Sequence, residues 1–120
     1  MIEHTSREFD QELKILRSRL SAMAERAATQ IALAMKALTD QNDDLARQVI
    51  SLDAAIDADE SDIDRLAMNI LATRHPVASD LRFVTMSLKF VIDVERIGDL
   101  AAGIAKRALE LNRLPALEPR

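Results

Sequence analysis

Glu95 and Asp99 stand four residues apart in the run Glu95-Arg96-Ile97-Gly98-Asp99, inside a segment otherwise rich in apolar side chains. On a helix that spacing puts both carboxylates on one face, where they can address the same ion. A second set, Asp53, Asp57, Glu60 and Asp64, steps by four, three and four. It makes a carboxylate stripe along another helix, about a quarter turn from that helix's apolar stripe. Between Gln48 and Asp64 there are six acids and no base. Like charges this close raise one another's pKa and cost free energy unless a cation or solvent answers them.

The residue types limit which cation that is. The chain has no cysteine and two histidines, His4 and His75, and neither follows a Glu at the Glu-x-x-His spacing of di-iron bundle enzymes. An all-oxygen donor set points to magnesium, calcium, manganese or iron, bound at the surface and without oxygen chemistry. The plainer reading is a solvated acidic face whose carboxylates pair with Arg65, Arg82 and Arg96 at little gain. Spacing alone leaves both open. Asp80 sits in the first turn of the last predicted helix, where the helix dipole favours any acid, with Arg74 and Arg82 as its expected partners. His75 precedes Pro76 at a turn, a poor place for a phosphoacceptor.

Three long helices must carry these groups. Phe9, Leu13, Leu16, Leu20, Met23, Ala27, Ile31, Ala34 and Leu38 step by fours and threes, the mark of one buried stripe. The polar cluster Thr39 to Asp44 interrupts it and supplies caps for a second helix, whose stripe runs through Leu45, Val49, Leu52, Ile56, Ile63, Leu66 and Ile70. Pro76 disfavours helical geometry at His75, ends the second helix near residue 73 and suits the first turn of a third. Val77, Leu81, Val84, Leu88, Val91, Gly98, Ala102, Ala105 and Leu109 form that third stripe, which Leu114-Pro115 stops. Gly98 and Gly103 would admit a neighbouring helix closely, and Met23, Met35, Met68 and Met86 are expected to fill the core or its margin. Asp59 falls where the second stripe expects a hydrophobe, so it faces solvent or a second subunit.

The expected fold is therefore all-α, an antiparallel three-helix up-down-up bundle over residues 1–114, with 115–120 a tail. If the second and third helices fold about Pro76, residues whose numbers sum to about 152 lie level. Asp57 then faces Glu95 and Asp53 faces Asp99, so four carboxylates are expected at one metal site. A slip of one helical turn leaves four acids together but exchanges Glu60 for Asp53.

Taken together, Ile56-Asp57-x-x-Glu60-x-x-Ile63, Arg74-x-Pro76-x-Ala78-x-Asp80-Leu81-Arg82 and Glu95-Arg96-Ile97-Gly98-Asp99 resemble the PhoU family of phosphate-signalling regulators, over about residues 8–112. The resemblance implies three-helix repeats that bind multinuclear iron or zinc through paired Asp/Glu-x-x-x-Asp motifs, which here match Asp53, Asp57, Glu95 and Asp99. Magnesium, manganese and calcium remain alternatives. It also implies a non-enzymatic role: negative regulation of phosphate uptake and of the phosphate-starvation response, through the phosphate ABC transporter and a sensor histidine kinase. Asp80, Arg82 and Arg96 are read as structural or partner-contact residues. Family members usually carry two repeats, so a single one is expected to self-associate as a homodimer or to be the amino-terminal half of a longer protein.

Composition narrows the alternatives. A formal charge of −4 and an aromatic content of 2% argue against nucleic acid as a partner. Residues 1–9 lack the basic start and apolar run of a secretory signal, and the absence of an apolar stretch of about eighteen residues argues against membrane insertion. The expected location is cytoplasmic. Two other classes remain beside a metal-binding regulator: a metal-free adaptor bundle, and a metal-dependent hydrolase, for which the sequence offers no convincing base.

Overall fold

A computed structural model describes residues 2–115, with side chains from residue 6. The chain forms α1 (Ile2–Asp40), α2 (Asp43–Arg74) and α3 (Ala78–Asn112). Each packs against both others, in a rod 70 × 19 × 16 Å along its principal axes. The described residues contain no strand. The fold is the all-α three-helix bundle that the stripes demand. The tail expected at 115–120 lies, beyond Pro115, outside the described residues.

The two connections are set by local chemistry. At the end of α1, Gln41 turns left-handed (φ 55°) and Asn42 N–H donates to the Ala37 carbonyl at 3.0 Å, closing the last turn. Asn42 is also the N-cap of α2, its side-chain oxygen accepting from Leu45 N–H at 3.0 Å. At the other end, His75 turns left-handed (φ 48°) as the C-cap of α2, and Pro76 after it disfavours any further right-handed helix there. Pro76 does not enter the first turn of α3. It is buried two residues earlier, and Val77, extended and exposed, occupies the N-cap. The chain reverses there instead, through a positive φ of 51° at Ala78.

The core has two halves of different grain. One contains Leu16, Met23, Ile56, Ile63, Ile70, Val84 and Val91. The other is mostly alanine: Ala34, Ala37, Ala46, Ala101, Ala105 and Ala108, with Val49. Small side chains let the three backbones approach closely in that half. Between the halves lie Gln30 of α1, fully buried, and the buried Gly98 of α3.

Several expectations need correction. Met23 is buried, but Met35, Met68 and Met86 are exposed, at 49%, 57% and 63%; each lies off its helix's buried stripe, on a face no third helix covers. Gly98 does admit a neighbour, whereas a Cβ on Gly103 would meet nothing within 4 Å. Val77 and Leu81 are exposed because α3 starts beyond the end of the packed layer. Arg74 does not pair with Asp80. It reaches across to α1, donating to Glu12 at 2.8 Å and Glu8 at 3.3 Å, contacts that hold its pKa up. Asp59 turns to α1 as well and binds Arg26 at 2.8 Å.

This division predicts a sharp contrast in stability. Ile63→Ala should cost about 2 to 4 kcal/mol by urea denaturation, and Met68→Ala no more than about 0.5 kcal/mol.

Candidate metal centre

The three seams of the bundle differ in charge. The α1/α2 seam is laced by opposite charges: Arg26 with Asp59, Arg19 with Asp62 at 3.7 Å, and Arg74 with Glu8 and Glu12. The α2/α3 seam carries Asp53, Asp57, Glu60 and Asp64 from one side and Glu95 and Asp99 from the other. Among the described residues, none of these six acids is held in an ion pair. Arg65, Arg82 and Arg96, the cations expected to answer them, are all exposed.

The acids sit in two groups along this seam. In the first, Glu60 shares a hydrogen bond with Glu95, so one of the two must carry a proton. This contact, then burial, then the charges of Glu95, Asp64 and Asp57 raise the Glu60 pKa from 4.5 to about 7. In the second, Asp53 lies near Asp57 and Asp99. Its pKa is raised first by burial and then by those two charges, against opposition from the Gln30 amide and Lys106. Glu95 thus meets Glu60, one turn along α2 from the Asp57 that the fold-back rule assigns it, while Asp53 keeps Asp99. Asp57 is exposed and borders both groups.

Does this donor set suit a metal? Among the described residues no three Asp, Glu or His side chains are gathered into a ready-made cage. Asp53 Oδ1, however, is buried without a hydrogen-bond partner, and a lone pair withdrawn from water in this way costs about 1 to 3 kcal/mol. Oxygen donors crowded together with no ion-pair partner, and only the charge of Lys106 felt at Asp53, suit a hard or borderline cation. Asp53, Asp57, Glu95 and Asp99, with Glu60, are the residues that would hold it. When bound, the ion would supply neutralising charge and a Lewis-acidic face toward solvent. Asp80, Arg82 and Arg96 are exposed and stand apart from these contacts.

Gln30 escaped the sequence reading altogether. It is fully buried, its Nε2 donates to the Val49 carbonyl at 3.1 Å, and its Oε1 has no donor. The signal was available, since residue 30 falls between Ala27 and Ala34 on the buried stripe of α1.

The sequence model of the PhoU domain matches residues 20–108, spanning both carboxylate motifs and all three helices. The chain belongs to the PhoU domain family. A phosphate-specific transport system accessory protein PhoU homolog of Pseudomonas aeruginosa is 43% identical over 111 residues, covering 92% of this chain and 46% of the relative. The accessory proteins PhoU of Edwardsiella tarda and Escherichia coli K12 are 40% and 38% identical over 108 residues, 90% of this chain and 44% and 45% of theirs. The chain thus spans about half the length of the curated relatives it matches. No helix among the described residues is long and apolar enough to cross a membrane.

The Glu60–Glu95 contact sets a direction for the pH dependence of this PhoU domain. Between the unfolded pKa of 4.5 and the folded value of about 7, the native state holds a proton that the unfolded chain has released. Stability is therefore full below that window and falls as pH rises through it. In metal-free protein the loss should be about 1 to 2 kcal/mol after solvent screening, read from urea denaturation at a series of pH values. Glu60→Gln, which donates to Glu95 at every pH, should flatten the curve.

Proposed function

We propose that this PhoU domain is a non-enzymatic regulator of phosphate homeostasis that represses phosphate uptake and the phosphate-starvation response when phosphate is plentiful. It acts in the cytoplasm by contacting the phosphate ABC transporter and a sensor histidine kinase, with metal on the α2/α3 seam. What carries this reading is the acid-rich seam, whose carboxylates are held in no ion pair among the described residues, on a bundle of the PhoU domain family. The names of its relatives, accessory proteins of a phosphate-specific transport system, agree with the role.

Metal held by Asp53, Asp57, Glu95 and Asp99 would convert a repulsive edge into one that accepts anions or partner carboxylates. Iron and zinc are the resident ions favoured by family membership, with manganese, magnesium or calcium as alternatives. A metal-free adaptor is the second reading. It is favoured by the open arrangement of the acids, which do not form a closed cage.

The α1/α3 seam bears on self-association. Met86, Phe90, Ile97 and Leu100 repeat along α3 at helical spacing and are 39–63% exposed. Met86 and Phe90 line one largely apolar groove with Leu20 and Ala24, and Leu100 lines a second with Leu38 and Ile104. An unburied stripe of this length fits a homodimer.

Three measurements test the proposal. Expressed in a bacterium lacking its own PhoU, the chain should restore repression of phosphate uptake at high phosphate; unchanged uptake would remove the regulatory reading. Calorimetric titration with zinc, ferrous iron and manganese should show binding that Glu95→Ala or Asp99→Ala weakens by about 1.4 kcal/mol or more, a tenfold change. Repression retained with no binding would favour the adaptor. Light scattering should give the mass of two chains, reduced to one by Leu100→Glu.

A further inference from the structure

On the α1/α3 face, the half nearest the His75 turn has an apolar floor and basic edges. Leu20 and Ala24 of α1 with Phe83, Met86 and Phe90 of α3 line an open groove of about 260 Å³, in which Met86 is 63% and Phe90 39% exposed. Arg17 rims it, its guanidinium carbon 4.6 Å from the centroid of the Phe83 ring. Lys14 stands one turn before Arg17, and Arg82 and Lys89 stand one turn either side of Met86, so each shares a helix face with a groove residue. All four cations are exposed, and among the described residues none is held in an ion pair.

Such a grouping is local, because the chain as a whole carries a formal charge of −4. On the α1/α2 seam the cations Arg19, Arg26 and Arg74 each meet an acid; at the groove, cations and apolar side chains alike are left open. The nearest acids along the two helices, Glu25 after Ala24 and Asp93 one turn after Phe90, stand at the end away from the His75 turn. A hollow between two packed helices takes the side-chain ridge of a third. It suits a bilayer less well, since a membrane-surface helix presents its apolar residues on a convex face. A second copy centred here by two-fold symmetry would bring like charges together, which places the centre of a homodimer farther along α3, at Ile97 and Leu100.

We propose that this groove docks an acidic amphipathic helix of a partner protein, its aliphatic ridge lying on Phe83, Met86 and Phe90 and its flanking carboxylates meeting Lys14 and Arg17 on one edge and Arg82 and Lys89 on the other. The partner is defined by chemistry: aliphatic side chains repeating at three and four residues, with Asp or Glu on both flanks. The apolar contact supplies affinity, and cations on both edges set the position of the helix and exclude basic competitors. Glu25 and Asp93 repel carboxylates at the far end and so limit how far the helix extends. The inference uses neither the metal nor the dimer reading.

The probe is a fluorescein-labelled synthetic helix of about twenty residues, with leucine along one face and glutamate on both flanks, and a twin in which lysine replaces every glutamate. Titrated with the unaltered chain and followed by anisotropy, the acidic helix should bind with a Kd below roughly 100 μM, more weakly as salt is added, and the lysine twin about tenfold less tightly or worse. The double variant Arg17→Glu, Lys89→Glu, changed only at exposed positions, should weaken the acidic helix by about tenfold or more. Leu100→Glu, outside this groove, should bind as the unaltered chain does. Absence of binding, equal binding of the two peptides, or a double variant that binds unchanged each overturns the inference. Binding seen only in Leu100→Glu would make the groove a contact between copies, and sedimentation with phosphatidylglycerol vesicles in place of peptide binding would assign the patch to a bilayer; either result also overturns it.

Discussion

The bundle is organised around one polar layer in an otherwise apolar core, where Gln30, Asp53 and Gly98 meet at a single level. An apolar triad there would have been easier to bury, since each unsatisfied oxygen costs on the order of 1 to 3 kcal/mol. The layer persists because it is tightly held. Gln30 is tied to the backbone of α2, and glycine at 98 leaves room that a Cβ would crowd, at 3.2 Å from the amide oxygen and 3.3 Å from Ile56. The packing on either side differs for the same reason. Larger aliphatics fill the half toward the His75 turn, while alanines close the half toward the Asn42 turn and bring the helices to the distance at which Gln30 spans α1 and α2.

A three-helix bundle has three outer seams, and this sequence gives each its own chemistry. Opposite charges across α1/α2 fix which residues of those helices lie level, and Arg74, held by two glutamates, fastens the far end of α2 back on α1. With that register set, Asp59 and Asp62 of α2 face α1, and Asp53, Asp57, Glu60 and Asp64 fall on the side toward α3. The third seam is mainly apolar, with Arg17 and Arg107 at its edges. The charges are segregated by seam, opposite pairs on α1/α2 and carboxylates on α2/α3.

How far the sequence revealed this depends on the kind of signal. Helix number, order and buried faces follow from the four-three spacing, which reports a geometric period. The acid stripe is legible for the same reason, and Gly98 declares itself by standing between the two motif acids. Partner choice is not periodic. Arg74 is near Asp80 in sequence but near Glu12 in space, and Asp59 looked misplaced until Arg26 of another helix was opposite it. The exposed methionines show the limit of composition, since an apolar residue off the stripe reads like one on it. Gln30 was missed for the converse reason: a polar residue on an apolar stripe reads as noise unless its neighbours 27 and 34 are checked as core.

Protons and cations contend for the same oxygens on the α2/α3 seam. With the Glu60 pKa at about 7, the Glu60–Glu95 pair still holds its proton in mildly acidic solution. A cation that uses Glu95 must expel it, so its apparent affinity falls as pH drops. Asp53, raised chiefly by burial, meets the same contest at the other end. The crowding of carboxylates that would favour a cation on this seam therefore also makes it sensitive to acid. A surface stripe of solvated carboxylates would titrate near ordinary values and show no such coupling.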